Sequence, residues 1–182
     1  IGKEYESLEL KSNKLKEEKQ DILKMIDEVE SKKTFTFMKS FNKINSNFES
    51  IFSQLTTKGT AHLVLENPEK PLEGGIQVMV KIAHNKFLDI KSLSGGEKTL
   101  TALAFIFSIQ DHDPAPFYLL DEVDAALDKR NSEKLSELIK KYSSKAQYIV
   151  ITHNDSVISN ADKLYGVSMH KDGISHIVSL KV

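Results

Sequence analysis

The chain has 182 residues, of which 40% are hydrophobic and 28% are charged, a balance that suits one soluble domain with a sizeable core plus an appendage. Its 25 basic and 26 acidic side chains give a formal net charge of −1, so composition offers no basis for nucleic-acid or anionic-membrane binding by the segment as a whole. The absence of cysteine excludes disulfides and thiolate metal sites and is compatible with a reducing intracellular compartment.

The first segment, residues 1–33, has the pattern of a coiled-coil arm. It is dense in Lys and Glu, and it starts without Met or any apolar run long enough for a signal sequence, so we expect an internal piece of a longer protein. Apolar residues recur at seven-residue intervals, at Ile1, Leu8, Leu15, Ile22 and Val29, which is a heptad column. The companion column is polar before Met25, so one narrow seam would face a partner outside this chain. A solvated amphipathic surface helix is the alternative.

The second segment, residues 34–182, is predicted to be the globular part. Helical spacing continues from Phe37 to Leu55 with a wider apolar stripe that suits docking onto a core. The runs AHLVLE, residues 61–66, and IQVMVKIA, residues 76–83, predict strands joined by a loop rich in Pro and Gly. At the C-terminal end, Lys163–Met169 and Gly173–Leu180 predict a terminal hairpin.

The middle of this segment alternates helices and apolar strands. Leu100–Gln110 is apolar almost all round, which predicts a buried helix that stops before Pro114 and Pro116. The runs FYLLD, residues 117–121, and QYIVIT, residues 147–152, predict two strands. The helical stripe between them consists of Leu135, Leu138, Ile139 and Tyr142. Because strand, helix and strand in succession form a right-handed crossover, we expect a parallel pair and an α/β fold.

Polar side chains follow both predicted parallel strands. Ligands in open α/β sheets bind beyond the carboxyl ends of the strands, so we expect Asp121, Glu122 and His153 along one edge. An aspartate in this position is suited to holding a hydrated Mg²⁺, and a neighbouring carboxylate is suited to orienting or deprotonating a water. A histidine there is able to donate a hydrogen bond to a γ-phosphate. The alternatives are an ordinary polar strand end and an ordinary loop histidine.

The stretch LSGGEKT, residues 93–99, opens a helix with two consecutive glycines. Ser94 and Glu97 have the spacing of a capping box, which satisfies two backbone N–H groups reciprocally but leaves the glycines unexplained. Gly95 and Gly96 make sense where a bulky anion approaches bare N–H groups at a helix N-terminus. Further along the chain, Asp128 is well placed to cap the helix that follows it.

Taken in order, these motifs resemble the nucleotide-binding head of the ATP-binding-cassette (ABC) class. They resemble more closely the C-terminal half of the head of a structural maintenance of chromosomes (SMC) protein, through LSGGEKTLTALAF, DPAPFYLLDEVDAALD and ITHND followed by ADKLYGVSM. The resemblance runs from about Phe35 to Val182. It implies an α/β C-terminal lobe of an ABC-type ATPase head, with a parallel-strand core, flanking helices and a protruding coiled-coil helix.

The resemblance also implies roles for single residues. Leu93, Ser94, Gly95 and Gly96 match the signature loop, which in such heads touches the γ-phosphate of ATP bound to a second head. Asp121 matches the Walker-B aspartate at Mg²⁺, Glu122 the catalytic glutamate, His153 the switch histidine and Asp128 the D-loop aspartate at the dimer interface. The implied nucleotide-binding set is Leu93, Ser94, Gly95, Gly96, Glu97 and Asp128. In the implied mechanism a water positioned by Glu122 attacks the γ-phosphorus of ATP in line.

One departure from the pattern of a complete head concerns the phosphate-binding loop. The sequence contains no GxxxxGK[ST] motif; in SMC proteins that loop lies in the N-terminal half of the head. We therefore expect the chain alone to bind ATP weakly and to hydrolyse none. The implied partners are that N-terminal lobe, a second head, a kleisin subunit and, through the full complex, DNA, with no membrane. The implied localisation is cytoplasmic and chromosome-associated.

Three other interpretations stay open. A related DNA-repair ABC protein with a zinc hook shares the signature loop, but it usually has Pro-Thr where this chain has Val123 and Asp124. The ATPase subunit of an ABC transporter would lack the heptad arm and the DEVDAALD string. A non-hydrolytic coiled-coil interaction module would tolerate replacement of Ser94 and Glu122.

Overall fold

A computed structural model describes residues 2–56, 59–81, 87–169 and 171–181, without the side chains of residues 3–7 and 181. The helices are α1 (Gly2–Leu55), α2 (Gly95–His112), α3 (Lys129–Ser143) and α4 (Asp155–Ile158), with a 3₁₀ turn at Ile90–Ser92. The strands are β1 (Thr60–Leu65), β2 (Ile76–Lys81), β3 (Phe87–Asp89), β4 (Phe117–Asp121), β5 (Gln147–Ile151), β6 (Lys163–Met169) and β7 (Ser175–Lys181). The fold class is therefore mixed α/β.

The chain divides into two compact units. One contains the residues up to Asn42 together with Glu66–Gly75, and the other contains Lys43–Leu65 and the residues from Ile76 onward. Helix α1 passes through both units without interruption. The predicted division into residues 1–33 and 34–182 stays a prediction.

Helix α1 is 54 residues long, and its sequence explains why one end is exposed and the other is buried. Ile1 of the heptad column lies outside the described residues. The other four members, Leu8, Leu15, Ile22 and Val29, are 58% to 65% exposed, which leaves this part of the column open along the helix. At the other end, Phe48, Ile51, Phe52 and Leu55 are at most 2% exposed. The wide apolar stripe predicted for this end therefore packs into the core of the second unit, where the Phe48 and Phe105 rings meet edge to face at 6.1 Å.

The first sheet is antiparallel, with strand order β1-β2-β3. Its strands β1 and β2 confirm the two strands that the sequence predicts, although Ile82 and Ala83 of the predicted second strand lie outside the described residues. Strand β3 was not predicted. The Asn45 Oδ1 atom accepts a hydrogen bond from the Leu63 backbone N–H at 2.6 Å, which ties β1 to the end of α1.

The second sheet is the predicted parallel pair. Strands β4 and β5 align from Phe117 opposite Gln147 to Asp121 opposite Ile151, with α3 as the crossover. The inward face carries Tyr118 and Tyr148, whose rings stack at 5.1 Å. The outward face is open, because Phe117, Leu119, Ile149 and Ile151 are 46% to 61% exposed.

Helix α2 corrects one detail of the sequence analysis. The helix is present, but it is not buried all round: Leu100, Leu103 and Phe107 lie in the core, whereas Ile106 and Ile109 are 43% and 40% exposed. A helix with apolar residues all round is able to bury every side, but within the described residues only one side of α2 is covered.

The terminal hairpin of β6 and β7 is antiparallel, as predicted.

Candidate functional site at the carboxyl edge of the parallel strands

Asp121, Glu122 and His153 share the carboxyl edge of the parallel pair, as the sequence predicts. Asp121 is the last residue of β4 and lies opposite Ile151, the last residue of β5. The Glu122 backbone N–H donates to the Ile151 carbonyl oxygen at 2.9 Å, which extends the ladder by one bond. The His153 Nε2 atom lies 3.5 Å from the Glu122 Oε1 atom, with the two side chains 90% and 55% exposed. The Glu122 carboxylate and the His153 imidazole are therefore adjacent at this edge, and both are exposed.

Glu122 has an unusual backbone. Its φ is +47°, and among the described residues Glu122 is the only one other than glycine with a positive φ. A side chain with a Cβ atom in the left-handed region costs about 1–2 kcal/mol, and such strain persists only where the surroundings fix it. The conformation follows directly after a strand, and it turns the chain so that the carboxylate of Glu122 points toward His153.

The capping box at the start of α2 is confirmed. The Glu97 backbone N–H donates to the Ser94 Oγ atom, while the Ser94 backbone N–H and hydroxyl both donate to the Glu97 Oε2 atom, at 2.9 and 2.7 Å. The hydroxyl and then the backbone hydrogen bond from Ser94 lower the pKa of Glu97 below its ordinary value of 4.5. The cap therefore holds an ionised carboxylate beside the first turn, and the Glu97 carboxylate already accepts two hydrogen bonds from Ser94.

The two glycines of this turn differ in their surroundings. A methyl group on Gly96 would meet the Ala126 carbonyl oxygen at 3.2 Å, whereas one on Gly95 would meet nothing within 4 Å. Gly96 therefore lies at a close approach within the chain, between the start of α2 and the segment after β4, where a Cβ atom would displace the neighbouring backbone by a few tenths of an ångström. Gly95 has no such internal requirement, and its backbone faces open space.

The remaining residues of the implied nucleotide set have structural roles as well. Leu93 is 6% exposed and belongs to the core. Asp128 is the N-cap of α3, and its carboxylate accepts a hydrogen bond from the Asn131 backbone N–H at 2.8 Å. The helix-capping role predicted for Asp128 is thus confirmed, while its role at a dimer interface stays a prediction.

Two residues of the edge were missed by the sequence analysis. Asp124 is 5% exposed, and its Oδ2 atom accepts a hydrogen bond from the Thr152 hydroxyl at 2.7 Å. Both lie inside motifs that were considered, but Asp124 was treated as part of a string and Thr152 as the end of an apolar strand. The available signal was a threonine directly before the candidate histidine and a second aspartate in the turn after β4.

The comparisons with known proteins agree with this architecture. A family model described as the RecF/RecN/SMC N terminal domain matches residues 7–176. The chain belongs to this family. Over 182 residues it is 47% identical to the chromosome partition protein Smc of Pyrococcus furiosus, a match that covers 100% of this chain and 15% of that protein. The SMC-family chain thus spans about 15% of the length of the curated relatives it matches.

Solved structures show the same fold. The Smc head domain of Pyrococcus furiosus, with an extended coiled coil and bound to the C-terminal domain of ScpA, matches with a TM-score of 0.88 at 50% identity, over 96% of this chain and 44% of that chain. A structure from work on ATP-driven dimerization and DNA-stimulated activation of SMC ATPases matches with a TM-score of 0.73 at 49% identity, over 80% of this chain and 88% of that chain. The SMC-family chain therefore has a mixed α/β, SMC head-like fold with a long N-terminal helix.

The donor set of this SMC-family chain limits the kinds of metal site it can form. Among its described residues no group of three or more His, Asp or Glu side chains is placed to hold a metal ion. Mg²⁺ in nucleotide sites is usually held by one or two carboxylates together with substrate phosphates. The exposed Asp121 fits that shared arrangement and does not fit a metal site built from this chain alone.

No helix among the described residues is both long and apolar enough to cross a bilayer.

Proposed function

We propose that the chain is the C-terminal half of an SMC ATPase head. In this proposal it contributes the signature loop, the Walker-B aspartate, the D-loop and the switch histidine to ATP-driven head engagement and ATP hydrolysis in chromosome organisation and segregation. The observation that carries the proposal is the Glu122 carboxylate, 3.5 Å from His153, at the carboxyl edge of a parallel pair in a chain of the SMC family.

Each residue at this edge has a chemical task in the proposal. Glu122 orients the attacking water and accepts its proton, and the exposed imidazole of His153 donates a hydrogen bond to the γ-phosphate. Asp121 supplies one carboxylate oxygen toward Mg²⁺, which, when bound, neutralises charge that develops on the phosphate oxygens. The open backbone at Gly95 offers a hydrogen-bond donor to the γ-phosphate of ATP carried by a second head, at the positive end of the α2 dipole. The Ser94 hydroxyl, which donates to Glu97 at 2.7 Å, would exchange that partner for the γ-phosphate.

Two observations support assignment to one half of a head. The solved Pyrococcus furiosus head is more than twice as long as the part this chain covers, since 96% of the chain matches only 44% of it. The sequence also lacks GxxxxGK[ST], the loop that cradles nucleotide phosphates. We infer that an N-terminal lobe with that loop completes the head, and that it covers the outward face of β4 and β5.

Further partners follow from what similar proteins bind. The Pyrococcus furiosus head is bound to the C-terminal domain of ScpA, so we propose a kleisin subunit as a partner of this chain. Because the second solved structure concerns ATP-driven dimerization and DNA-stimulated activation, we propose a second head as the dimer partner and DNA as a ligand of the full complex. The arm of α1, with its exposed heptad column, would pair with an antiparallel arm helix in this assembly.

The proposal is tested by reconstitution. The chain is mixed with the N-terminal lobe of the same protein, and phosphate release from ATP is measured together with head dimerisation. We expect turnover only in the mixture. Glu122→Gln should reduce kcat at least about 100-fold, since it removes the acceptor of the water proton, and should prolong the ATP-bound dimer. Ser94→Arg should abolish the ATP-dependent dimer, because it places a bulky side chain at the open turn.

Several outcomes of this experiment would contradict the proposal. Robust hydrolysis by the chain alone would show that it contains a complete nucleotide site. Wild-type turnover in Glu122→Gln would assign the chemistry to another group. Unchanged behaviour of both variants, with no hydrolysis in the mixture, would favour a non-hydrolytic interaction module. Lys129→Gln, an exposed change in the first turn of α3, serves as a matched control and should leave both readouts unchanged.

A further inference from the structure

The turn after β4 contains a buried carboxylate to which none of the roles above applies. Asp124 is 5% exposed, and aspartate is rarely buried to this degree unless it is paired. Its Oδ2 atom accepts a hydrogen bond from the Thr152 hydroxyl at 2.7 Å. This bond joins the loop after β4 to the loop after β5, which carry Glu122 and His153 respectively.

The Thr152 hydroxyl makes a second hydrogen bond. Its oxygen accepts from the Asn154 backbone N–H at 2.9 Å, so the residues on both sides of His153 are joined in a closed turn. The Asn154 side chain in turn accepts from the Ser156 backbone N–H at 3.0 Å, as the N-cap of α4. The backbone that carries His153 is therefore held from Asp124 on one side and from α4 on the other.

The loop that carries Glu122 is held in a corresponding way. The Glu122 carbonyl oxygen accepts from the Ala125 N–H at 3.1 Å, and the Asp124 carbonyl oxygen accepts from the Leu127 N–H at 3.0 Å. These two turns set the course of the chain from the strained Glu122 through Asp124 to Leu127. Two cross-links then join the loops: the main-chain bond from Glu122 to Ile151, and the side-chain bond from Thr152 to Asp124.

We propose that Asp124 and Thr152 are positioning residues that set the distance between Glu122 and His153. The inference rests on the proposed ATPase function and deepens it. The main-chain bond alone fixes where Glu122 leaves the sheet, but it leaves free both the rotation of the turn and the path of the chain through residue 153. The Asp124–Thr152 bond fixes both, and it provides the rigid surroundings that a non-glycine residue at positive φ requires.

The size of the effect follows from the geometric tolerance of catalysis. A misplacement of about 1 Å costs on the order of 100-fold in rate. Thr152→Val keeps the shape of the side chain but removes both hydrogen bonds of the hydroxyl, and it leaves the buried Asp124 carboxylate without that donor. We expect kcat to fall about 10- to 100-fold, with the KM for ATP changed less than about threefold, because the residues proposed to contact ATP are untouched.

The experiment uses the full-length protein that carries this chain. Steady-state ATP hydrolysis is measured for the wild type, Thr152→Val and Thr152→Ser, with kcat and KM separated. Thr152→Ser retains the hydroxyl and is the matched control; it should keep kcat within about threefold of the wild type. Hydrogen exchange of peptides spanning residues 120–128 and 150–156 is measured in parallel, and both should exchange faster in Thr152→Val only.

A second variant covers failure of Thr152→Val to fold. Asp124→Asn keeps the volume and an acceptor oxygen but removes the charge, and charge-assisted hydrogen bonds are roughly twice as strong as neutral ones. It should lower kcat about threefold or more and speed exchange in residues 150–156. Wild-type kcat in the folded variants, or an equal loss in Thr152→Val and Thr152→Ser, would overturn the positioning role.

The two proposals fail in different ways. A wild-type protein that hydrolyses no ATP would contradict the proposed function. The link between the two loops would then be judged by hydrogen exchange alone, and unchanged exchange of residues 120–128 in Thr152→Val would overturn it. If the wild type is active and Thr152→Val loses stability while its kcat per folded molecule is unchanged, Asp124 and Thr152 have a structural role only.

Discussion

Glu122 has a φ of +47°, a conformation that glycine would adopt with far less strain. The sequence nevertheless places a carboxylate there, next to His153, in a turn supported by backbone hydrogen bonds on both sides. A strained residue that bears a reactive group is expected at functional sites, where geometry is maintained at a cost in stability. The backbone of Glu122 is therefore a second, independent reason to place the chemistry at this position.

This strain leads to a prediction about stability. Glu122→Gly should be more stable than Glu122→Ala by about 1 kcal/mol, because only the glycine relieves the Cβ clash of the left-handed region, partly offset by the greater freedom of glycine in the unfolded chain. Urea denaturation of both variants measures the difference. If Glu122→Ala is the more stable variant, the backbone of Glu122 is not strained. The comparison of the two variants requires no nucleotide.

Gly95 and Gly96 show where sequence reasoning stops at the residue scale. In the sequence the two were equivalent, and both were assigned to the approach of an anion. In the structure a Cβ atom on Gly96 would lie 3.2 Å from the Ala126 carbonyl oxygen, whereas one on Gly95 would meet nothing within 4 Å. Which backbone passes close to a glycine depends on the packing of the segment after β4, a non-local contact that no local pattern encodes.

At the scale of the element, the start of α2 is the best test of local chemistry. Ser94 lowers the pKa of Glu97 below 4.5 through its hydroxyl and backbone hydrogen bonds. A carboxylate with a lowered pKa contributes stability that is complete above the ordinary value and is lost as the pH falls through the lowered value. Glutamine also fits this position of a capping box, so Glu97→Gln removes mainly the charge at the helix N-terminus. It should destabilise the chain by about 0.3–1 kcal/mol at neutral pH, and the gap to the wild type should shrink as the pH falls below 4.5.

The measurement is the free energy of unfolding in urea across a pH series. Glu133→Gln removes an exposed carboxylate from α3 and is the charge-matched control, which should show no such narrowing. A gap between Glu97→Gln and the wild type that stays constant with pH would mean that the cap stabilises α2 through the shape of the side chain and not through its charge.

The elements themselves were predictable to different degrees. Strands β4 and β5 were found within one residue of their observed ends, because each is a single apolar run bounded by breakers. Strand β3, only three residues long, was missed because Phe87, Leu88 and Asp89 show no alternation that distinguishes a strand from a loop. The buried pair of Asp124 and Thr152 was missed because pairing across a sheet edge joins residues 28 positions apart.

At the scale of the molecule, the parallel pair of β4 and β5 lacks, among the described residues, a layer that covers one of its two faces. Parallel sheets are normally covered on both faces, yet Phe117, Leu119, Ile149 and Ile151 on one face of β4 and β5 are exposed, as are Ile106 and Ile109 of α2. All six lie in the apolar runs from which the sequence predicts α2, β4 and β5. Their exposure agrees with a chain that spans 44% of the solved Pyrococcus furiosus head, and it supports the proposal that an N-terminal lobe covers this face.

Leu119 provides the test of this arrangement. Because it is 61% exposed, Leu119→Asp should change the unfolding free energy of the chain by less than about 0.5 kcal/mol. Burial of a leucine side chain contributes about 1.5–3 kcal/mol, so the same change should weaken binding of the N-terminal lobe at least tenfold, as measured by calorimetric titration. Leu72→Asp, at a leucine 38% exposed in the loop between β1 and β2, should leave this affinity unchanged. Wild-type affinity in Leu119→Asp would show that the lobe binds elsewhere and that the open face of the sheet has another occupant.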